Sequence, residues 1–147
     1  MANEKESSVG KAYGFFDCNA SKEEIEVELS TIRKIDKIPS KLELSLMEVN
    51  DLEKSRAVDP GLLQFIRQNE IYATFPSKYK DLIKTAKPIK MTDLKYVIAA
   101  AYPNARNEEA ANELGDVMNG IYRRYGNGEP FNVAIACKID GEYLFKD

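Results

Sequence analysis

The residues able to do chemistry are few, and one type is missing. The chain has no histidine. That removes Ser-His and Cys-His nucleophilic pairs and every imidazole-ligated metal site. It also removes the side chain that most often moves protons near neutral pH. The two cysteines are Cys18 and Cys137, and they show no metal-binding spacing. Cys18 stands between an apolar run and an expected helix start, where the helix dipole favours a thiolate nucleophile. The adjacent Asp17 opposes that, so a reactive thiol at Cys18 is a minor expectation. Cys137 alternates with apolar residues and reads as a small buried hydrophobe. Carboxylates lie one helical turn apart at Glu24/Glu28 and Glu109/Glu113, a spacing that lets two side chains share a divalent ion. Both pairs open expected helices, where acids are favoured by the dipole anyway. The expectation is therefore a solvated face, with no catalytic set, no metal and no cofactor.

Two surfaces suggest binding. Lys78, Lys80, Lys84, Lys87 and Lys90 fall between Ser77 and Met91, with Tyr79 and a single acid, Asp81, among them. A basic strip with aromatics can follow a nucleic-acid backbone, although a solvated helix side is the commoner explanation. Tyr13, Phe15, Tyr96 and Tyr102 are candidate binding aromatics, with Lys78, Lys80 and Lys84 as candidate phosphate contacts. The stretch Lys11-Ala12-Tyr13-Gly14-Phe15-Phe16 resembles part of the K/R-G-F/Y-G/A-F-V signature of RNA-recognition-motif domains. That resemblance implies sheet aromatics that stack single-stranded bases. Core packing of Tyr13, Phe15 and Phe16 is the competing expectation, and the stronger one.

These residues need elements to hold them, and the elements come twice. Asn19 to Leu29, NASKEEIEVEL, returns as Asn104 to Leu114, NARNEEAANEL, with six of eleven positions identical. Ile25, Leu29 and Ile32 align with Ala110, Leu114 and Val117 at helix positions i, i+4 and i+7. Each copy follows an apolar run, Ala12 to Phe16 and Tyr96 to Tyr102. A repeated strand–turn–helix unit is expected.

Taken in order, 1–10 is a polar tail and 11–49 a first βαβ half. The first half has a strand from Lys11 to Asp17, a helix capped by Asn19 or Ser21 and running to about Lys37, and a strand alternating through Leu42, Leu44 and Leu46. Residues 50–90 read as a helical insertion. Asp59-Pro60 opens one helix, Ser77 opens another that ends before Pro88, and the insertion is the expected cover for one sheet face. Residues 91–147 form the second half plus a C-terminal strand. Its first segment, 91–102, fits either helix or strand by periodicity, and the repeat favours strand. Asn107 is expected to cap the longest helix, and Asp140-Gly141 is a hairpin signal. The expected fold is α+β: two βαβ halves in a ferredoxin-like split βαβ sandwich, with both long helices on one face.

Composition bounds function broadly. The 147 residues are 44% hydrophobic and 31% charged, with net charge −3, an ordinary balance for one globular domain. There is no global basic field to attract nucleic acid or anionic lipid. No signal-like leader or membrane-length apolar run appears, so a cytoplasmic location is expected. The leading expectation is a non-enzymatic module that works through a sheet face or edge, by self-association or by holding a protein partner or small ligand. The alternatives are RNA or single-strand binding through the sheet aromatics and lysine strip, and a small enzyme with a pocket between sheet and insertion.

Overall fold

The computed structural model describes residues 9–35, 37–54, 59–71, 74–75, 89–126 and 131–146. Its strands are β1 (Val9–Phe16), β2 (Glu43–Glu48), β3 (Glu70–Ile71), β4 (Thr74–Phe75), β5 (Ile89–Lys90), β6 (Tyr96–Pro103), β7 (Phe131–Ile139) and β8 (Glu142–Lys146). The helices are α1 (Lys22–Ile35), α2 (Pro60–Gln68) and α3 (Asn107–Tyr125), with 3₁₀ turns at Val49–Lys54 and Met91–Asp93. The main sheet is antiparallel and open. Its order is β2-β6-β1-β7, and β8 and the short β4 both pair with the far side of β7.

Register decides which side chains share a face. Phe16 lies opposite Tyr96 and Val133, whereas Phe15 lies opposite Val97 and Ala134. One face carries Ala12, Phe16, Tyr96, Ile98, Ala100, Val133 and Cys137. It packs against Ile25, Leu29 and Ile32 of α1 and Ala110, Leu114, Val117 and Ile121 of α3. Both long helices thus cover one side. The other face carries Tyr13, Phe15, Val97, Ala134 and Ala136. It packs against Val49, Leu52, Leu62, Ile66, Met91 and Leu94. The two 3₁₀ turns, α2 and Leu94 therefore form a cover over the second face. The segment between the halves is not purely helical: β3 pairs with β5, and β4 extends the main sheet. The helix expected from Ser77 lies outside the described residues.

β1 is smooth on the side that meets α3. A methyl group added at Gly14 would sit 2.5 Å from Met118 Cε and 3.2 Å from Leu114 Cδ2. One added at Gly10 would lie 2.9 Å from the Ala105 carbonyl oxygen and 2.7 Å from the Arg106 carbonyl carbon. With Ala12 between them, these positions let the helix lie close on the strand.

Several element ends differ from their sequence expectation. α1 stops at Ile35, before Lys37. Lys37 takes a left-handed φ of 54°, and the Ile38 N–H donates to the Arg33 carbonyl at 3.1 Å, a helix-ending pattern that usually employs glycine. Ser21 caps α1, its Oγ accepting from the Glu24 N–H at 3.2 Å. At α3 the cap is Arg106, not Asn107. Asn107 accepts from the Lys11 N–H at 2.9 Å and donates to the Lys138 carbonyl at 2.7 Å, so it bridges β1 and β7 under the helix start. The ambiguous 91–102 stretch splits: Met91–Asp93 is a 3₁₀ turn, and extended chain begins at Tyr96 beside β1. The hairpin forms as expected, with Asp140 at φ 51° and Gly141 at φ 85°, the pair of positive angles a two-residue turn needs.

Candidate functional site

The sequence-proposed aromatics do not meet on one surface. Tyr13 and Phe15 are buried under the cover at 4% and 0% exposure. Tyr96, 1% exposed, lies on the opposite face, stacked at 5.6 Å on Phe16, and its hydroxyl donates to the Ala20 carbonyl at 2.7 Å. Tyr102 is half-buried on that same helix-covered face. No base can reach Tyr13 or Phe15 while the cover is in place. Lys78, Lys80 and Lys84 lie outside the described residues. Cys18 is half-exposed and free. Burial pushes its thiol pKa up, and Asp17 and Glu24 add to that, against a backbone hydrogen bond and Lys95. The helix start therefore does not produce a thiolate there. Asp17 turns away to accept from the Lys95 N–H at 2.6 Å. Among the described residues, no three His, Cys, Asp or Glu side chains converge as a metal site would require.

A polar cluster that sequence reasoning used only as a helix cap sits where the cover meets the sheet. Asp59, the α2 N-cap, accepts from the Gly61 N–H at 3.0 Å and from the Tyr143 hydroxyl at 2.7 Å. Lys138 Nζ stands 3.7 Å from the same carboxylate and 5.8 Å from the Tyr143 ring centre. The Tyr143 hydrogen bond, foremost, and the Gly61 N–H hold the Asp59 carboxyl below its ordinary range, and Lys138 assists. Burial, then the Asp59 hydrogen bond, hold the Tyr143 hydroxyl protonated well above the ordinary phenol range. Burial and the Asp59 charge likewise raise Tyr13. The cluster thus contains a carboxylate with both oxygens hydrogen-bonded and two phenols that keep their protons. A carboxyl pKa held low makes Asp59 a weak base, and raised phenol pKa values make Tyr13 and Tyr143 poor nucleophiles. Phe65 packs 6.0 Å from Tyr143 and 4.9 Å from Phe145, completing a clasp between α2 and the β7–β8 hairpin. The alternation of Tyr143 and Phe145 in a terminal hairpin was the available signal; its pairing with Asp59 was not.

A cleft of about 190 Å³ opens between the Val49–Lys54 turn, α2 and the Met91–Asp93 turn, lined by Val49, Asn50, Leu52, Leu63, Ile66, Arg67 and Thr92. Pockets that hold substrate-sized molecules run roughly 300–1,000 Å³, so this one suits only a very small guest.

Among the described residues a further accessible feature is the β2 border of the sheet, with β8 at the other side. β2 pairs with β6 on one side, and among the described residues no strand pairs with its other side. Its end residues Glu43 and Glu48 are exposed, Ser45 is exposed at its middle, and Leu44, Leu46 and Met47 are half-buried. Leu44 and Leu46 lean on the helix-side core, and Met47 on the cover-side core. Beside this border the cover thins: Ser45 lies opposite Ala99 and Glu43 opposite Ala101, and both alanines are half-buried. A row of unpaired main-chain groups thus adjoins a shallow, small-residue floor. No helix among the described residues is long and apolar enough to cross a membrane. No protein-family model matches the chain, and neither a curated protein nor a solved structure matches it.

Proposed function

We propose that this protein is a non-enzymatic interaction module that binds an extended segment of a partner along the outer edge of β2. The observation that carries this reading is the coverage of the sheet. α1 and α3 occupy one face and the 3₁₀ turns and α2 occupy the core of the other, which among the described residues leaves the borders of the sheet, β2 and β8, accessible; β2 is the one that adjoins the half-buried floor of Ala99 and Ala101. An unpaired edge supplies main-chain donors and acceptors in fixed register, and alternate side chains add selectivity. The small floor of Ala99, Ala101 and Ser45 gives room for a partner side chain. Burial of Tyr13 and Phe15 counts against base stacking. The engaged Asp59 and the protonated Cys18, Tyr13 and Tyr143 count against catalysis.

The finer architecture belongs to the same proposal. The order β7-β1-β6-β2 with antiparallel neighbours, and two long helices on one face, support a ferredoxin-like split βαβ made of two similar halves. The equivalent burial of Ile25, Leu29 and Ile32 in α1 and of Ala110, Leu114 and Val117 in α3 supports the duplication. The free thiol of Cys18 suits a reducing, cytoplasmic setting.

The test is selection of random twelve-residue peptides on the folded protein, followed by nitrogen–proton correlation spectra of the complex. The expected result is peptides whose binding shifts and protects the amides of Glu43–Glu48 and is lost in Leu46→Pro. The Val49 N–H donates to the Lys95 carbonyl, so in this register Ser45 and Met47 also face β6 and the Leu46 N–H faces outward. Selected peptides that map to other elements and bind Leu46→Pro as tightly would overturn the proposal.

A further inference from the structure

The geometry points to a partner segment that is cationic at two positions five residues apart, so that one positive side chain faces Glu43 and another faces Glu48; this rests on the edge-binding function proposed above. Along β2 the uncharged run Leu44-Ser45-Leu46-Met47 is bracketed by these two exposed glutamates. Successive side chains of a strand alternate between faces. Glu43 and Glu48 are five residues apart and therefore lie on opposite faces of the sheet, Glu43 with Ser45 and Met47, Glu48 with Leu44 and Leu46. An added strand keeps the same alternation, so its matching residues must also be separated by an odd number. Four uncharged residues between them would lie against the uncharged centre.

Three cations lie near these glutamates: the exposed Lys41 in the turn two residues before Glu43, Lys11 and Lys95, and none forms a described ion pair with either. On the Glu43 face, Ala101 separates Glu43 from Lys11. Two strand spacings put Lys11 about 10 Å away, roughly a Debye length at 0.1 M salt. On the other side, Lys95 feels Glu48 electrostatically, but they are not among the described ion pairs within 4 Å. A second copy of this chain is a poor occupant for the same reason. A two-fold pairing that keeps the faces continuous, centred on Ser45, sets Glu43 against Met47 and Glu48 against Leu42. It leaves all four glutamates without a lysine opposite, so a second copy gains none of the charge pairing open to a cationic segment.

The experiment compares three fluorescein-labelled octapeptides by anisotropy on the full chain. All share a Thr/Val-rich backbone; one has lysine at positions 2 and 7, one at positions 2 and 6, and one has glutamine at both 2 and 7. Each well-placed cross-strand charge pair is worth a few-fold in affinity, so the 2,7 peptide is expected to bind about threefold tighter than the 2,6 peptide and roughly tenfold tighter than the glutamine peptide. The preference should vanish in the Glu43→Lys/Glu48→Lys double variant. A 2,7 peptide methylated on alternate backbone nitrogens should lose binding, which tests edge pairing without altering the protein. If all three octapeptides bind equally and only methylation abolishes binding, the edge reading stands and the charge rule is wrong. If methylation changes nothing, or none of the three binds, the edge reading itself fails. A dimer in sedimentation at low salt that Leu46→Pro abolishes would make a second copy the occupant and overturn the inference.

Discussion

Removal of the Tyr143 hydroxyl tests how the cover is fastened to the sheet. Tyr143→Phe deletes one donor to Asp59 at 2.7 Å and leaves the ring contacts with Phe65 and Tyr13 in place. A hydrogen bond to a charged acceptor contributes about 1.5–3 kcal/mol. The Asp59 side chain is 39% exposed, so solvent competes and about 1–2 kcal/mol is the expected loss. Asp59→Ala loses more: the same bond, the cap to Gly61 at about 1 kcal/mol, and an exposed ion pair with Lys138 worth at most about 1 kcal/mol. The sum is about 2–4 kcal/mol. The double variant should cost less than the two singles added, with a coupling of about 1–2 kcal/mol in a urea-denaturation cycle. The pH dependence has a fixed sign. A carboxyl whose folded pKa lies below its unfolded value stabilises fully above the unfolded value, near 4, and loses that contribution as pH falls through the folded value. The difference between wild type and Tyr143→Phe should therefore hold from neutral pH to about 4 and shrink below it. A coupling under about 0.3 kcal/mol, or a gap that persists undiminished in acid, would refute the clasp.

Three further outcomes are expected. Gly10→Ala should destabilise by about 2–3 kcal/mol, because its methyl group meets the Ala105 and Arg106 main chain at the start of α3 and overpacking against backbone finds little relief; urea titration measures it, and a neutral effect would contradict the close approach. Phe15→Ala should cost about 3–5 kcal/mol, since the ring is fully buried beneath the cover, and a loss under 1 kcal/mol would mean that the face is open in solution. Cys18 should react with iodoacetamide at neutral pH more slowly than a free thiol, because burial raises its pKa; a rate above that of free cysteine would restore it as a nucleophile.

The parts legible in the sequence are those with local causes. Asp59-Pro60 opened a helix because a capping acid and a pre-set proline angle act within one turn. Asp140-Gly141 closed a hairpin because both positions accept positive φ. The apolar registers of Ile25, Leu29 and Ile32 and of Ala110, Leu114 and Val117 appeared as buried faces of α1 and α3 because helical periodicity is itself local. What was hidden depends on partners distant in the chain. Tyr13 and Tyr96 looked equivalent as strand aromatics, yet Tyr96 pairs with Phe16 and so falls on the opposite side. Tyr13 and Phe15 are covered by Leu62 and Ile66, some fifty residues on. The end of α1 was placed too late because Lys37 adopts an angle lysine seldom takes. The main-chain exposure of β2 depends on strand order, which no residue of β2 encodes.

The glycine and alanine strip of β1 has a bearing on how this sheet finds its alignment. In a half-wet sheet, polarity sets the alignment: a one-residue slip drags oily side chains into water. Here both sides of β1 are oily, so wetness does not penalise a slip. Size does so instead. Shifting β1 by one place would drive Tyr13 and Phe15 into the bed shaped for Gly10, Ala12 and Gly14 beneath α3, where one methyl group is already too much. The strand is keyed like a toothed bar, by the absence of bulk on one side, and α3 is the part that checks the fit.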